Sequence, residues 1–158
     1  MSKTTRATQV LTKAGIAFTT VTYDYDPTAD RIGLQAAAAI GEPPHLVLKT
    51  LMAELDGKPV CVVVPSDREV SMKKLATAFG GKSASMMKPA EAERATGYHV
   101  GGISPFGQKK QVPTAIESTA MGHDYVYMNG GQRGLQLRLS PRDAQTALNA
   151  IAAPLVAD

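Results

Sequence analysis

The sequence predicts a mixed α+β fold, and two hairpins with helices set between the strands carry that prediction. Asp56-Gly57 joins the apolar run 46–53 to the run 60–64, and Asn129-Gly130-Gly131 joins residues 125–128 to the alternating pattern of 135–139. The helical segments do not follow the strict strand-helix repeat of a doubly wound parallel sheet. The chain has 158 residues, 44% hydrophobic and 20% charged, which suits one domain over 1-158 with one core. With no Trp and 5% aromatic residues, that core is expected to be Ala, Val, Leu, Ile and Met.

Taken in order, Thr4 or Thr5 caps a first helix with Val10, Leu11 and Ala14 on one face and Gly15 as its stop. The β-branched and aromatic residues of 18–23 read as a strand. Asp24, Asp26 and Pro27 mark a loop, and residues 33–40, with four consecutive alanines, form a short helix closed by Gly41. After Pro43-Pro44 comes the strand 46–53 with Lys49 in its middle, then its hairpin partner 60–64. Met72, Leu75, Ala76 and Phe79 share one face of a helix that starts near Ser71 and ends at Gly80-Gly81. A short strand near 83–87 precedes a helix begun by Pro89 and stopped by Gly97, and 112–117 reads as another strand. Ser140-Pro141 caps a last helix running to about Ile151, after which 152–158 is expected to fray.

A formal charge of +3 permits nucleic-acid binding without requiring it. Cys61 has no partner for an internal disulfide and sits in an apolar run as a small core hydrophobe. No apolar run reaches the length of a membrane span, and the first residues lack the apolar stretch of a signal peptide, so a cytoplasmic protein is expected. His45, His99 and His123 are too dispersed for a metal motif, and no cofactor motif is present. There is no Gly-x-Ser-x-Gly elbow, no Gly-x-Gly-x-x-Gly and no P-loop, which disfavours covalent serine catalysis and the common nucleotide folds.

What remains is a glycine-rich loop and a lysine. Gly101-Gly102-Ile103-Ser104-Pro105-Phe106-Gly107, followed by Lys109-Lys110, fits either a structural turn or an amide-lined rim for an anion or developing oxyanion. Lys49, inside an aliphatic strand, either snorkels outward or faces a polar pocket, because burying an unpaired ammonium is costly. Gly130-Gly131-Gln132-Arg133-Gly134 adds a second glycine corner, readable as a tight turn with an exposed arginine.

Four stretches resemble one known family in order along nearly the whole chain. They are Thr22-Tyr23-Asp24-Tyr25-Asp26-Pro27, Leu48-Lys49-Thr50-Leu51, Thr96 through Lys110 with its Gly-x-x-x-Pro element on Gly101 and Pro105, and Gly130 through Leu135. Together they resemble the YbaK branch of the YbaK/prolyl-tRNA synthetase editing-domain superfamily. The resemblance implies a twisted mixed, mostly antiparallel sheet, partly barrel-like and flanked by helices. It also implies an aminoacyl-tRNA deacylase that hydrolyses Cys-tRNA(Pro) in trans, with the substrate's own thiol attacking its ester.

By the same resemblance Lys49 is the active-site lysine, and the amides of Gly101, Gly102 and Ile103 face the carbonyl. Tyr23, Ile32, Thr50, Ser104, Pro105, Asn129, Gly130 and Gly131 are placed at the substrate, and Lys109, Lys110 and Arg133 at the RNA. The expected partner is tRNA(Pro) carrying cysteine, with prolyl-tRNA synthetase as a docking partner. The family commonly carries a serine where this chain has Asn129 and an aromatic residue where it has Ile32, which opens the amino-acid preference to alanine. Deacylation of Ala-tRNA(Pro) and a non-catalytic tRNA- or synthetase-binding module are the alternatives.

Overall fold

Thr5 caps the first helix, α1 (Arg6–Lys13), through a reciprocal pair of hydrogen bonds with Thr8. The computed structural model describes residues 4–28 and 32–158, the side chains of 32 and 33 excepted. The helix buries Ala7, Thr8 and Leu11, whereas Val10 is 40% exposed. The expected Val10–Leu11–Ala14 face is therefore corrected: the helix is turned so that Val10 and Ala14 meet solvent and positions 7, 8 and 11 meet the core.

Strand β1 (Thr19–Thr22) pairs antiparallel with β7 (Leu135–Leu139), which pairs antiparallel with β6 (Val126–Asn129). Helix α2 (Ile32–Ile40) buries Ala36 and Ala37 in a small cluster with Val47 and Tyr127. The second sheet has the order β4-β2-β3-β5-β8. Its hairpin of β2 (Leu48–Leu55) and β3 (Lys58–Pro65) turns at Asp56-Gly57 as the sequence predicts, and β4 (Ala84–Met86) lies antiparallel on β2. Helix α3 (Met72–Ala78) precedes β4 and α4 (Pro89–Thr96) follows it, the latter ending on left-handed Gly97.

Strand β5 (Thr114–Glu117) joins β3 in parallel, and β8 (Ile151–Ala153) joins β5 in parallel. The two sheets touch at a bridge between Val47 and Tyr127 and do not close into a barrel. The main core, around Leu48, Met52, Phe106, Ile116, Met128 and Leu137, lies where they face each other. No described helix is long and apolar enough to cross a membrane.

The C-terminal stretch also departs from expectation. Helix α5 (Pro141–Leu148) stops at Asn149, which is left-handed at φ 51, and the next residues form β8 instead of fraying. Leu155 is fully buried, and the Glu117 carboxylate accepts hydrogen bonds from Leu155 N at 2.8 Å and Val156 N at 3.1 Å. A parallel partner strand and one buried carboxylate, both distant in sequence, hold the tail in place.

Candidate active site

Strand β2 is covered unevenly, and that places Lys49. On one side β3 pairs along its whole length, while on the other β4 reaches only Ala53–Leu55 and β6 touches only at Val47. The stretch from Leu48 to Met52 borders a cleft of about 430 Å³. The parallel Val47–Tyr127 bridge brings the start of β2 to β6, and Lys49 and Asn129, each two residues beyond it, both line the cleft. Asn129 is registered with Gln136, and Gln136 with Val21, two residues before Tyr23. A polar row of Lys49, Asn129, Gln136 and Tyr23 thus runs from one sheet to the other, and all four line the cleft.

Lys49 Nζ lies 3.6 Å from Glu69 Oε1, with the lysine side chain 21% exposed. The sequence left an outward and a pocket-facing lysine open, and the geometry is that of a lysine in a cleft with an acidic neighbour. Three buried oxygens in the same cleft, Tyr23 Oη, Thr50 Oγ1 and Gln136 Oε1, have no hydrogen-bond partner among the described residues. Such atoms are costly unless a ligand or water satisfies them. Burial raises the pKa of Tyr23, so its hydroxyl stays protonated.

The glycine loop forms the opposite wall. Arg133 Nε donates to Val100 O at 2.9 Å, Asn129 Nδ2 donates to Gly101 O at 3.2 Å, and Asn129 Oδ1 accepts from Gly131 N at 2.7 Å. Val100 N donates to Glu93 at 2.8 Å, and that bond holds the carboxylate's pKa below its usual value. At Gly101, φ is +91° and a Cβ would stand 2.7 Å from Tyr25 Oη, so only glycine fits. A Cβ on Gly102 would stand 2.8 Å from the Arg133 backbone nitrogen.

Not every amide of the loop is free. Gly102 N already donates to His99 O at 2.8 Å, which removes it from the expected set of three. Gly101 and Ile103 line the cleft, and their N–H groups donate to no described residue. These two amides can serve a developing oxyanion.

Of the residues singled out by sequence, Lys49, Thr50, Tyr23, Gly101, Ile103 and Asn129 come together around the cleft. Gly102, Ser104, Pro105, Gly130 and Gly131 do not line it. Ser104 is fully buried and accepts from Phe106 N at 3.1 Å, Gly130 O accepts from the Thr5 hydroxyl at 2.5 Å, and Gly131 packs against the Tyr98 ring. They shape the loop and the corner that support the wall. Lys109 and Lys110 are exposed outside the cleft, and Arg133 stacks 5.4 Å over the Tyr25 ring while bracing the loop. Ile32 begins α2, and its side chain lies outside the described residues.

Sequence reasoning missed Glu69, Gln136 and the apolar wall of Met86, Met87, Pro89 and Ala92. Gln136 had a signal, since the hairpin around Gly130-Gly131 sets it opposite Asn129. Glu69 had none, because only the fold brings its loop to β2. Cys61 is buried in the core with its thiol pushed up to about 12 by burial, which leaves it unreactive. No three His, Cys, Asp or Glu side chains among the described residues are grouped to hold a metal ion.

Comparison with known proteins adds the chemical setting. Residues 26–147 match the model of the aminoacyl-tRNA editing domain. EbsC of Enterococcus faecalis, named for a proposed Cys-tRNA(Pro)/Cys-tRNA(Cys) deacylase activity, is 34% identical over 121 residues, 75% of this chain and 74% of that protein. A proline–tRNA ligase of Nitratidesulfovibrio vulgaris is 36% identical over 73 residues, 46% of this chain and 13% of the ligase. A solved structure described as a trans-editing enzyme for prolyl-tRNA synthetase has a TM-score of 0.82 over 99% of this chain and 100% of that one, at 21% identity. That last likeness is one of fold.

Proposed function

The chain belongs to the aminoacyl-tRNA editing domain family, and from that premise we propose that it clears cysteine from Cys-tRNA(Pro) in trans. It is an aminoacyl-tRNA deacylase of the YbaK kind. The observation that carries the finer reading is the cleft itself: a lysine on one wall and, among the described residues, two undonated amides on the other and no activated protein nucleophile between them. The hydroxyls that line it belong to Tyr23, whose pKa is raised, to Thr50, and to Ser66, which donates to Val47 O. A site equipped in this way positions an ester and stabilises charge, and leaves the attacking atom to the substrate.

In the proposed reaction the cysteinyl thiol attacks its own ester carbonyl. The S–C bond forms, the bond to the ribose oxygen breaks, and that oxygen leaves carrying the proton lost by the thiol. Water then opens the resulting thiolactone to free cysteine. The amides of Gly101 and Ile103 bind the carbonyl oxygen as it becomes negative, and Lys49 holds a phosphate or ester oxygen. Thr50 and Tyr23 offer hydroxyls to the sugar or the aminoacyl group. Separate editing is useful here because cysteine and proline side chains are close in size and one apolar pocket separates them poorly. The likeness to a segment of prolyl-tRNA synthetase supports tRNA as the substrate, and the exposed Lys109 and Lys110 suit a phosphate backbone.

The test is the deacylation rate of Cys-tRNA(Pro), Ala-tRNA(Pro) and Pro-tRNA(Pro) by the native protein and by Lys49→Ala. Cysteine should be released fastest, and the lysine variant should lose roughly 100-fold or more in rate while keeping most of its tRNA affinity. Equal rates on cysteine and alanine would remove the thiol mechanism in favour of attack by water. Preference for alanine would keep the site and change the substrate, and loss of affinity with no turnover in the native protein would mark a binding module.

A further inference from the structure

Among the described residues, the cleft is lined by a single acid and a single base, Glu69 and Lys49. Their charged atoms lie 3.6 Å apart. The two are held differently. Lys49 lies in β2, one strand of a hairpin and registered with Val64 of β3, with its side chain 21% exposed. Glu69 sits in a short loop fastened by backbone: Ala157 N donates to Glu69 O at 2.8 Å, and the next residue, Val70, bridges to Val156. The Glu69 side chain itself is 76% exposed and makes no hydrogen bond to any described residue. The loop fixes where the carboxylate stands, while the carboxylate remains free to change partner.

An ion pair at 3.6 Å whose carboxylate is largely exposed is worth little, so exchanging it costs little. The 3′ end of an aminoacylated tRNA carries the same two charges in reverse. Its phosphates are anionic, and its α-amine is a cation below a pH of about 8. We propose that the Lys49–Glu69 pair divides when substrate binds, Glu69 taking the α-ammonium of the aminoacyl group as Lys49 takes an anionic oxygen of the same 3′ end. The inference rests on the editing reading above and names a recognition element within it. It makes the cleft selective for esters with a free amine over those in which the amine is acylated, as in a peptidyl ester.

The competing holders of the amine are the neutral oxygens of Tyr23, Thr50 and Gln136, and the experiment separates them from Glu69. Dissociation constants would be measured by calorimetry for two non-hydrolysable analogues of the tRNA 3′ end. One is an adenosine 5′-phosphate carrying an aminoacyl group through a 3′-amide. The other is its α-hydroxyacyl counterpart, which replaces the ammonium with a neutral hydroxyl of similar size. The native protein should prefer the amine by about tenfold, and Glu69→Gln should bring the ratio close to one, while Gln136→Leu should keep it. A native ratio near one, a preference that survives in Glu69→Gln, or no binding of either analogue would overturn the proposal. Hydrolysis of Cys-tRNA(Pro) measured on the same preparations bears on the deacylase reading alone. A protein that shows the amine preference and releases no amino acid would retain the Glu69 role and lose the deacylase one.

Discussion

At the level of single residues, the cleft depends on two that cannot be exchanged for different reasons. Lys49 supplies a charge, and it stood out in the sequence because a lone cation in an aliphatic strand is costly unless it reaches water or a polar partner. Gly101 supplies the absence of a side chain. Its φ of +91° and the Tyr25 hydroxyl 2.7 Å from a would-be Cβ mean that Gly101→Ala must either push Tyr25 aside or move the loop. Backbone strain of about 1–3 kcal/mol is expected, together with displacement of the amide proposed to meet the carbonyl. We expect kcat/KM for deacylation to fall by roughly 100-fold while the variant stays folded by circular dichroism. A variant within twofold of native would show that this amide does not meet the reacting carbonyl. Ser104 and Pro105 teach the opposite lesson. They belong to the same run of residues, yet their burial makes them supports of the loop.

At the level of elements, β5 and the C-terminal stretch are linked by one carboxylate. Burial of Glu117 raises its pKa, but hydrogen bonds from Thr119, Leu155 and Val156 outweigh that and leave it below the ordinary value of 4.5. A group whose pKa is depressed in the folded state contributes stability above its unfolded value and loses it as pH falls through the folded one. Stability should therefore decline below about pH 4.5 as Glu117 is protonated, with the tail loosening from β5. Glu117→Gln should be less stable than native near neutrality and should show a shallower loss between pH 5 and about 3 by denaturant titration. Parallel pH profiles for the two proteins would show that other carboxylates set the acid limit. The α1 helix is coupled to the site in the same indirect manner, since its cap residue Thr5 also donates to the Gly130 carbonyl.

At the level of the whole molecule, the second core beneath α3 joins Leu155 to Val60, Val62, Val64 and Leu75, and so joins the tail to the loop that carries Glu69. Leu155→Ala should cost roughly 2–5 kcal/mol and lower Tm by roughly 10 °C in a thermal melt, with faster amide exchange at Ser71 and Ala157, whose N–H groups bond across the same bridge. A loss below about 0.5 kcal/mol would mean that the tail is not part of that core. Local chemistry made most of this architecture legible in the sequence. The Asp56-Gly57 turn, the caps at Thr5, Ser71 and Ser140, and the run of glycines from Gly101 each constrain only their near neighbours. The helices, the hairpins and the glycine loop could accordingly be placed from residue order alone, whereas the side on which Lys49 points could not. Pairing between distant segments decided the rest. The parallel attachment of β8 to β5, the bridge between Val47 and Tyr127, and the approach of Glu69 to Lys49 follow from which strands become neighbours. Periodicity specifies which face of a strand is buried, but the choice of a distant partner is settled by the packing of the complete chain.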